Sequence, residues 1–546
     1  MTVIYHKLPN FRIEKTSPLK KLQLAGLSIL SGLLLSAAWP VSQFTLLVFV
    51  GFVPLLYIAS IVTKRNSFFL YSFIAMLVWN ALTTWWMWNS TDVGSVAAIV
   101  ANSLLMCLPW WGFHLFKNKF GKKIGYGSLI ACWMLFEYIH LNWQLSWPWL
   151  SIGNVFAAKT NWVQWYEYTG IGGGTLWVLA VNILLFEWSR EFRQEVLGEQ
   201  VKKITIIVSL LFFPIIFSFL LSIHPSRLAI DYKIAVVQPN IDPYQKFEGS
   251  STSQQIAKLI SLSEQAVDST TKLLLWPETA MSANVAINEI EKANVYKPVF
   301  DFVNRYPNLT LLSGIETYQF LGTEKTTATA RKTQDGQYYD AYNAAISIHA
   351  KEPMQFYVKS KLVPGVETLP SFLNILAPLF EKFGGSTGGY AKDTTAKAFE
   401  NSGNPFVTAP VICYESIYGE YVASYIKKGA NLITIITNDG WWGNTPGHKQ
   451  HLQYAKLRAI ETRKWVVRSA NTGISAVIDE YGDVLATQGW NQAAFIKYGV
   501  PAKTDQTFYV KHGDYLYKIF SLLALLLIGW NLVLWLKNKF VPVAKP

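Results

Sequence analysis

Three short stretches of the sequence end in side chains that could form one catalytic group. Residues 410–416 read Pro-Val-Ile-Cys-Tyr-Glu-Ser, and the apolar residues predict a short buried strand that ends at Cys413. The residues that follow predict a turn into a helix. This would hold the sulfur near a helix N-terminus, where the thiolate is favoured over the thiol. A thiolate held in this way is a nucleophile.

A carboxylate and an ammonium group follow two other strand-like runs. Glu278 comes after Leu-Leu-Leu-Trp-Pro at 273–277, where proline prevents a paired central strand from continuing. Lys359 lies in the run 355–364, which ends in Leu-Val-Pro. A lysine beside Cys413 would lower the thiol pKa and stabilise an oxyanion, and a glutamate could carry the proton. A lone cysteine is more often a buried packing residue, so the prediction depends on all three stretches.

These stretches, in this order, resemble the nitrilase (carbon–nitrogen hydrolase) superfamily. Further motifs are similar to those of the bacterial apolipoprotein N-acyltransferase family. They are Asn-Asp-Gly-Trp-Trp-Gly at 438–443, Gln-His at 450–451, Arg-Ala-Ile-Glu at 458–461 and Arg-Ser-Ala-Asn-Thr-Gly-Ile-Ser at 468–475. Apolar runs flank this region, as membrane helices do in that family. The resemblance therefore covers essentially the whole chain, and the ordered set of motifs carries it.

The resemblance implies a reaction and a role for each residue. Cys413 is expected to attack the acyl ester of a membrane phospholipid, and the amine of a diacylglyceryl lipoprotein then accepts the chain from a thioester. Glu278 is expected to act as general base and acid, and Lys359 to stabilise the oxyanion. Glu367 follows Lys359 by eight residues, as a second glutamate does in the family, and is expected to support Lys359 or proton transfer. Tyr414 and Glu415 flank the thiol, either as supporting residues or only through packing and hydrogen bonding.

The sequence departs from the family pattern at two places. Gly365-Val366 stand before Glu367 where the family usually has Phe-Gly, and Phe247 stands where it often has tryptophan. Phe247 is nevertheless an expected substrate-binding residue. The glycine-rich segment 384–389 predicts either a mobile lid, with Gly388 as a substrate contact, or a passive loop.

The composition favours a membrane protein with a large extramembrane part. Of 546 residues, 51% are hydrophobic and 22 are tryptophan, and the mean hydropathy is +0.21. A spanning helix needs about 20 apolar residues. Runs near that length predict an eight-helix transmembrane bundle with spans at 22–38, 44–62, 68–86, 96–116, 126–141, 172–187, 204–223 and 519–536. The fifth run is short and contains Glu137 and His140.

The positions of lysine and arginine predict the orientation of these spans. Lysine or arginine is frequent in the N-terminal arm, in the loops near 64, 120 and 195, and in the C-terminal tail. The loops near 41 and 92 have neither, and 142–171 has only Lys159. The positive-inside rule then puts both termini in the cytoplasm of a Gram-negative cell. The predicted division is a membrane region at 1–223, a periplasmic domain at 224–514, and a last helix with a cytoplasmic tail at 515–546. Topology thus accounts for the net charge of +13 without nucleic acid.

The segment 232–500 alternates helical and strand-like patterns, which predicts an α/β domain. Strands are expected near 232–238, 309–313, 343–349 and 431–437, and helices near 252–268, 296–305 and 447–464. The resemblance supplies the architecture: a nitrilase-like α-β-β-α sandwich with the catalytic residues at strand ends.

Some residues allow two interpretations. Trp147 and Trp149 lie in the aromatic outer loop and belong either to an interfacial belt or to the wall of a lipid-entry groove. His448 and His451 have no third metal ligand suggested nearby, so packing or hydrogen bonding is expected and no metal or other cofactor is predicted. Cys107 and Cys132 lie in apolar runs, which argues against a disulfide framework.

Two other functions would fit parts of the sequence. A membrane-anchored amidase of the nitrilase type would share the catalytic residues and use water as acceptor, but one or two anchoring helices would suffice for it. A transporter would explain the helices but not the catalytic residues, and Glu137 and Glu187 are poor candidates for its charged pathway. The expected partners are a phospholipid donor and a lipoprotein acceptor, and the chain is expected to be a monomer.

Overall fold

The computed structural model describes residues 18–192, 196–223, 232–244, 251–369 and 389–540. Its N-terminal part is a bundle of apolar helices. They are α1 Pro18–Ala38, α2 Val53–Ile61, α3 Arg65–Thr84, α4 Asp92–Phe120, α5 Lys122–Asn142, α6 Tyr166–Glu191 and α7 Leu197–Leu221. Within these ranges, seven helices are long and apolar enough to cross a membrane, and one of the seven, Tyr515–Phe540, closes the chain. The protein is therefore a membrane protein, as predicted.

The second predicted span differs from the other seven. It consists of a 3-10 turn at Thr45–Phe49 followed by α2, and together they form an apolar segment of only Thr45–Ile61. Trp39 donates a hydrogen bond to the Tyr454 hydroxyl and Asn89 to the Trp442 carbonyl, both in the later α/β part of the chain, so α1 and α3 end on the same side. The chain must therefore return across the bundle between them, and Thr45–Ile61 makes this crossing.

In the described part of the chain after the bundle, fourteen strands form two sheets. The first has the order β14-β1-β2-β4-β6-β5, with β3 beside β4 and β7 beside β6, and the second has the order β13-β12-β11-β10-β9-β8. The strands are β1 Tyr232–Gln238, β2 Leu273–Leu275, β3 Met281–Ala286, β4 Thr310–Gly322, β5 Arg331–Lys332, β6 Tyr338–His349, β7 Glu352–Val358, β8 Phe399–Glu400, β9 Val407–Ile412, β10 Leu432–Thr437, β11 Val466–Ala470, β12 Ser475–Ile478, β13 Val484–Gln488 and β14 Ala494–Val500.

The two sheets pack face to face between helices, which is the predicted α-β-β-α sandwich. Alternate residues of β1 show why: Ile234 and Val236 face the second sheet, while Ala235 and Val237 face helices. The outer helices are α8 Thr252–Ala266 and α9 Lys297–Asn304 on the first sheet, and α10 Gly419–Lys427 and α11 Pro446–Thr462 on the second. The helices and strands predicted from the sequence in this segment are confirmed.

The apolar core of the bundle continues into the sandwich. Tyr414, Tyr418, Tyr454 and Leu457 of the sandwich are buried in the same cluster as the bundle side chains. A short helix, α12 Phe508–His512, leads from the sandwich into α13 Tyr515–Phe540. The end of the bundle that faces the sandwich is its outer end, and the two parts share one apolar core there.

Candidate active site

Cys413 lies at a sharp corner directly after β9. Its φ is 48°, in the left-handed region that non-glycine residues rarely adopt. Strain of this kind is often found at functional sites. The corner is a 3-10 turn, Cys413–Ile417, and the α-helix begins only at Gly419. The sulfur is thus held on rigid backbone as predicted. The predicted contribution of a helix N-terminus is wrong, because a helix dipole acts only within its first turn.

Glu278 follows β2 and the Trp276-Pro277 pair, and its side chain is buried. Its Oε1 accepts hydrogen bonds from Asn343 Nδ2 at 2.8 Å and Lys359 Nζ at 3.0 Å. Its Oε2 accepts one from the backbone N–H of Asn438 at 3.0 Å. Gly314 on β4 lies directly against this segment, and a Cβ there would be 2.6 Å from the Glu278 Cα. The missing side chain lets the carboxylate approach.

Lys359 comes directly after β7 and is 1% exposed. Its ammonium donates to Glu278 Oε1 at 3.0 Å and to Glu367 Oε1 at 2.8 Å. Burial alone would lower the pKa of Lys359, but the carboxylates of Glu278 and Glu367 raise it well above its ordinary value. The side chain therefore stays charged. An ammonium has three donors, so one remains for a substrate oxygen.

The thiol of Cys413 is only 8% exposed, and its environment favours the protonated form. Burial raises the pKa of Cys413, the Glu278 carboxylate raises it further, and Lys359 and the Thr437 hydroxyl lower it only in part. The lysine does act on the thiol in the predicted direction. Burial outweighs this effect, however, and the net result is a pKa of Cys413 above its ordinary value.

Glu415 joins the lysine strand to the cysteine corner. Its Oε1 accepts from the N–H of Ser360 at 2.6 Å and from the Tyr357 hydroxyl at 2.5 Å, and its Oε2 accepts from the N–H of Ile412 at 2.9 Å. Burial raises the pKa of Glu415 to about 7 despite these bonds. Glu415 thus fixes the backbone just after Lys359 relative to the backbone just before Cys413.

Tyr414, Trp147 and Trp149 connect the corner to the bundle. The Tyr414 hydroxyl donates to the Ser146 carbonyl at 2.7 Å, and its ring lies parallel to Trp147. Trp147 and Trp149 stack with ring centres 5.5 Å apart. All three side chains, together with Cys413, line a mostly apolar cavity of about 370 Å³ between the sandwich and the outer ends of the helices.

His451, Asp439 and Arg468 form a second polar network next to the Cys413 corner. His451 Nε2 lies 3.2 Å from the Cys413 carbonyl, and its Nδ1 lies 2.9 Å from Asp439 Oδ1. Arg468 donates to Asp439 Oδ2 at 2.6 Å, and Arg468 and His451 hold the pKa of Asp439 well below its ordinary value against the effect of burial. Cys413, Asp439 and His451 come close enough for a metal ion. Asp439 and His451 already use their polar atoms in hydrogen bonds, which fits a supporting network.

The structure brings Glu278, Lys359, Glu367 and Cys413 together, with Tyr414 and Glu415 beside them. Phe247 and Gly388 lie outside the described residues. Sequence reasoning missed Asn343, which donates to both Glu278 and Glu367 at 2.8 and 3.1 Å, and the backbone N–H of Asn438. An asparagine inside an apolar strand run was the available signal for the first of these. His451 was expected to form hydrogen bonds, but its partner in the Cys413 corner was not identified.

The sandwich and its buried glutamate, lysine and cysteine define a carbon–nitrogen hydrolase domain, and the pattern of that family matches residues 233–507. The pattern described as the apolipoprotein N-acyltransferase N-terminal domain matches residues 31–184. The apolipoprotein N-acyltransferase of Chlorobaculum tepidum is 32% identical over 505 residues, which cover 89% of this chain and 92% of that protein. That of Geobacter metallireducens is 25% identical over 499 residues, which cover 89% and 91%.

The chain belongs to the apolipoprotein N-acyltransferase family. Among solved structures, an amidase of the nitrilase superfamily from Nesterenkonia is similar over 54% of this chain and 98% of its own, with 14% identity and a TM-score of 0.37. The two matched patterns follow one another along the chain, with the apolar helices first and the sandwich after them.

Proposed function

We propose that this protein transfers an acyl chain from a membrane phospholipid to the N-terminal diacylglyceryl-cysteine of lipoproteins through a thioester on Cys413. The observation that carries the proposal is the position of Cys413. Its thiol lies beside a buried Glu278–Lys359 pair and opens into an apolar cavity formed jointly with membrane helices. A water-soluble amide would need no such cavity, whereas a lipid chain does.

The first half-reaction forms the thioester. Glu278 takes the proton from Cys413 as the sulfur attacks the ester carbonyl carbon, and the third N–H of Lys359 stabilises the resulting oxyanion. The tetrahedral intermediate then breaks its bond to the glycerol oxygen. Glu278 returns the proton to that oxygen, and lysophospholipid leaves. Glu367 and Asn343 keep the lysine and the glutamate in register through their hydrogen bonds.

The second half-reaction uses the same groups in reverse. The free α-amine of the lipoprotein attacks the thioester carbon, and Glu278 takes a proton from its nitrogen. When the intermediate collapses, the carbon–sulfur bond breaks and Glu278 returns the proton to Cys413. The products are an amide on the lipoprotein and the resting enzyme. Tyr414, Trp147 and Trp149 are the wall along which the lipid chains pass, with Phe247 and Gly388 as further substrate contacts.

The proposed setting is the inner membrane of a bacterial cell, with residues 224–514 in the periplasm, 1–223 as the membrane region and 515–546 as the last helix and its tail. Lys122, Lys203 and Arg190 gather near Glu187 and Glu191 at the end of the bundle away from the sandwich. The positive-inside rule makes that end cytoplasmic. We propose that the chain works as a monomer, because cavity and catalytic residues come from one chain.

The test is the mass of the purified protein after incubation with phospholipid alone. The expected result is one acyl group on Cys413 that is lost when a diacylglyceryl lipopeptide is added, with the amide product formed. Cys413→Ser should form no adduct and show no turnover, because a serine hydroxyl has a much higher pKa than the thiol. Cys107→Ala and Cys132→Ala are the matched controls and should keep both adduct formation and turnover.

Two results would contradict the proposal. A folded Cys413→Ser protein with normal turnover would remove the covalent mechanism. Release of free fatty acid at the same rate with and without the lipopeptide would favour the nitrilase-type amidase reaction, in which water is the acceptor.

A further inference from the structure

The outer end of α4 extends past the helix beside it. α4 begins at Asp92, α5 ends at Asn142, and the two run antiparallel from a turn at Gly121. His140 Nε2 and Asn102 Oδ1 lie 2.9 Å apart, so the last turn of α5 is level with Asn102 of α4. Asn142 is two residues further on, so at 1.5 Å per residue roughly 12 Å of α4 has no part of α5 beside it.

The cavity that contains Cys413 runs along this overhanging part of α4. Its α4 side consists of small residues, Gly94, Ala97, Ala98 and Ala101. Asn102 and His140 also line the cavity, at the level where α5 ends. Asn102 donates to Asn80 Oδ1 at 2.6 Å, so the polar atoms at this level are paired with one another. An apolar chain entering from Cys413 therefore meets paired polar side chains at this level, and Leu105, one helical turn further along α4, lines the cavity beyond them.

We propose that the overhang of α4 measures the acyl chain, and that Ala98 and Ala101 determine how long a chain Cys413 accepts. The inference rests on the proposed function, because the measured chain is the one that becomes joined to the thiol. The overhang of roughly 12 Å is a little under half of a hydrocarbon core roughly 30 Å thick, and half of that core is the depth of one leaflet and so of one lipid chain. The methyl end of the chain lies against Asn102 and His140.

Larger side chains at these positions shorten the space available. Each methylene that loses its place in an apolar cavity changes affinity roughly fourfold. Chains that differ by two methylenes should therefore be separated roughly 15-fold where the cavity ends. Val100 and Leu104 lie on the same helix but do not line the cavity. They are matched control positions.

The experiment measures the acyl groups on Cys413 after incubation of the full chain, in detergent, with an equimolar mixture of phospholipids. The mixture carries dodecanoyl, tetradecanoyl, hexadecanoyl and octadecanoyl chains. Ala98→Phe and Ala101→Phe should shift the adducts toward shorter chains, with at least a tenfold change in the ratio of dodecanoyl to octadecanoyl adduct. Leu105→Ala, which enlarges the far end of the cavity, should shift them toward longer chains. Val100→Phe and Leu104→Phe should keep the wild-type distribution.

Each outcome decides between the alternatives. An unchanged distribution in Ala98→Phe, Ala101→Phe and Leu105→Ala, with normal adduct yield, overturns the inference and leaves the proposed function intact. An equal shift in Val100→Phe also overturns it. If Ala101→Phe gives no adduct from the mixture, formation of an adduct from the dodecanoyl phospholipid alone supports the inference. If no adduct forms there either, the inference stands or falls on whether Leu105→Ala shifts the adducts toward longer chains. Absence of any adduct in the wild type contradicts the proposed function instead.

Discussion

At the scale of single residues, the buried charges of the site depend on one another. Lys359 is 1% exposed and is the positive group between two carboxylates, Glu278 and Glu367. Removing the lysine would leave two buried carboxylates close together with no opposite charge between them, which is strongly destabilising.

The roles of Glu278 and Lys359 can be separated by the amount of thioester that forms. Glu278→Gln keeps the shape and the hydrogen bond from Asn343 but cannot accept a proton, so acylation should be slow and transfer should stop. Lys359→Met removes the positive charge needed in both steps, and loss of one oxyanion donor typically costs about 10²–10³ in rate. With phospholipid alone, Glu278→Gln should therefore accumulate more thioester than Lys359→Met, as measured by intact-protein mass.

Lys359→Arg serves as the control, because it keeps the charge but cannot match the geometry of the ammonium. It should fold as the wild type does and show an intermediate rate of acylation. Equal thioester in Lys359→Met and wild type would show that the lysine does not stabilise the charge.

The strand-end positions of Glu278, Lys359 and Cys413 could be predicted because apolar runs with Pro or a polar residue after them identify strand ends. The balance of charge and burial that sets the pKa of Cys413 could not be predicted. The sequence placed a lysine beside a thiol, but the two carboxylates that occupy this lysine come from segments 81 and 8 residues away. Only the fold shows that burial outweighs the lysine at the thiol. Asn343 was missed for the same reason.

At the scale of elements, the link between the sandwich and the last helix contains a buried acid. Asp514 stands between α12 and α13, is 6% exposed, and accepts a hydrogen bond from the Tyr509 hydroxyl at 2.7 Å. Burial and the neighbouring Glu420 raise the pKa of Asp514 from 3.8 to about 7. Glu461 also faces it, and Lys518 pairs with Glu420.

This acid should make thermal stability depend on pH. Between pH 3.8 and about 7 the folded chain holds the Asp514 proton while the unfolded chain has released it. Stability from this group is therefore present at low pH and lost as pH rises through that window, with a slope of about 1.4 kcal/mol per pH unit. Asp514→Asn should reduce the fall in Tm across the window. Thermal unfolding in detergent at several pH values measures this.

Asp505→Asn is the matched control for this pH series, since its side chain is exposed on the same connecting segment. It should leave the wild-type slope unchanged. Glu415, whose pKa is also about 7, keeps part of the slope in Asp514→Asn. An identical slope in Asp514→Asn and wild type would show that Asp514 is not protonated in the folded protein.

Most elements could be predicted from periodicity, but the second span shows where periodicity stops. The run 44–62 is as apolar as the others, yet residues Thr45–Phe49 form a 3-10 turn and only Val53–Ile61 form an α-helix. The Phe52 N–H donates a hydrogen bond to Asn182 Oδ1 of α6 at 2.8 Å, and Asn182 Nδ2 donates to the Val48 carbonyl at 2.9 Å. A side chain distant in sequence thus provides hydrogen-bond partners for backbone groups at the interruption of the helix. No local sequence pattern reveals this.

At the scale of the whole molecule, the sandwich and the lysine-rich loops lie at opposite ends of the bundle. In a chain with Cys107 and Cys132 replaced by alanine and Cys413 replaced by serine, Lys351→Cys should react with a membrane-impermeant maleimide on intact spheroplasts. Residue 351 is exposed in the turn between β6 and β7. Lys123→Cys, exposed at the start of α5, should react only after lysis. The reverse pattern would place the sandwich in the cytoplasm.

The hydrogen bond between Trp39 and Tyr454 joins residues 415 positions apart in the chain. At 5–20 residues per second, the ribosome takes roughly 20–80 s to make the segment between them. For that period the first helices lie in the membrane with the outer end of the bundle uncovered, including the indole N–H of Trp39. Biogenesis of the protein is therefore ordered in time. The early helices are made first, and the structure is completed only when the last part of the sandwich and α13 have been synthesised.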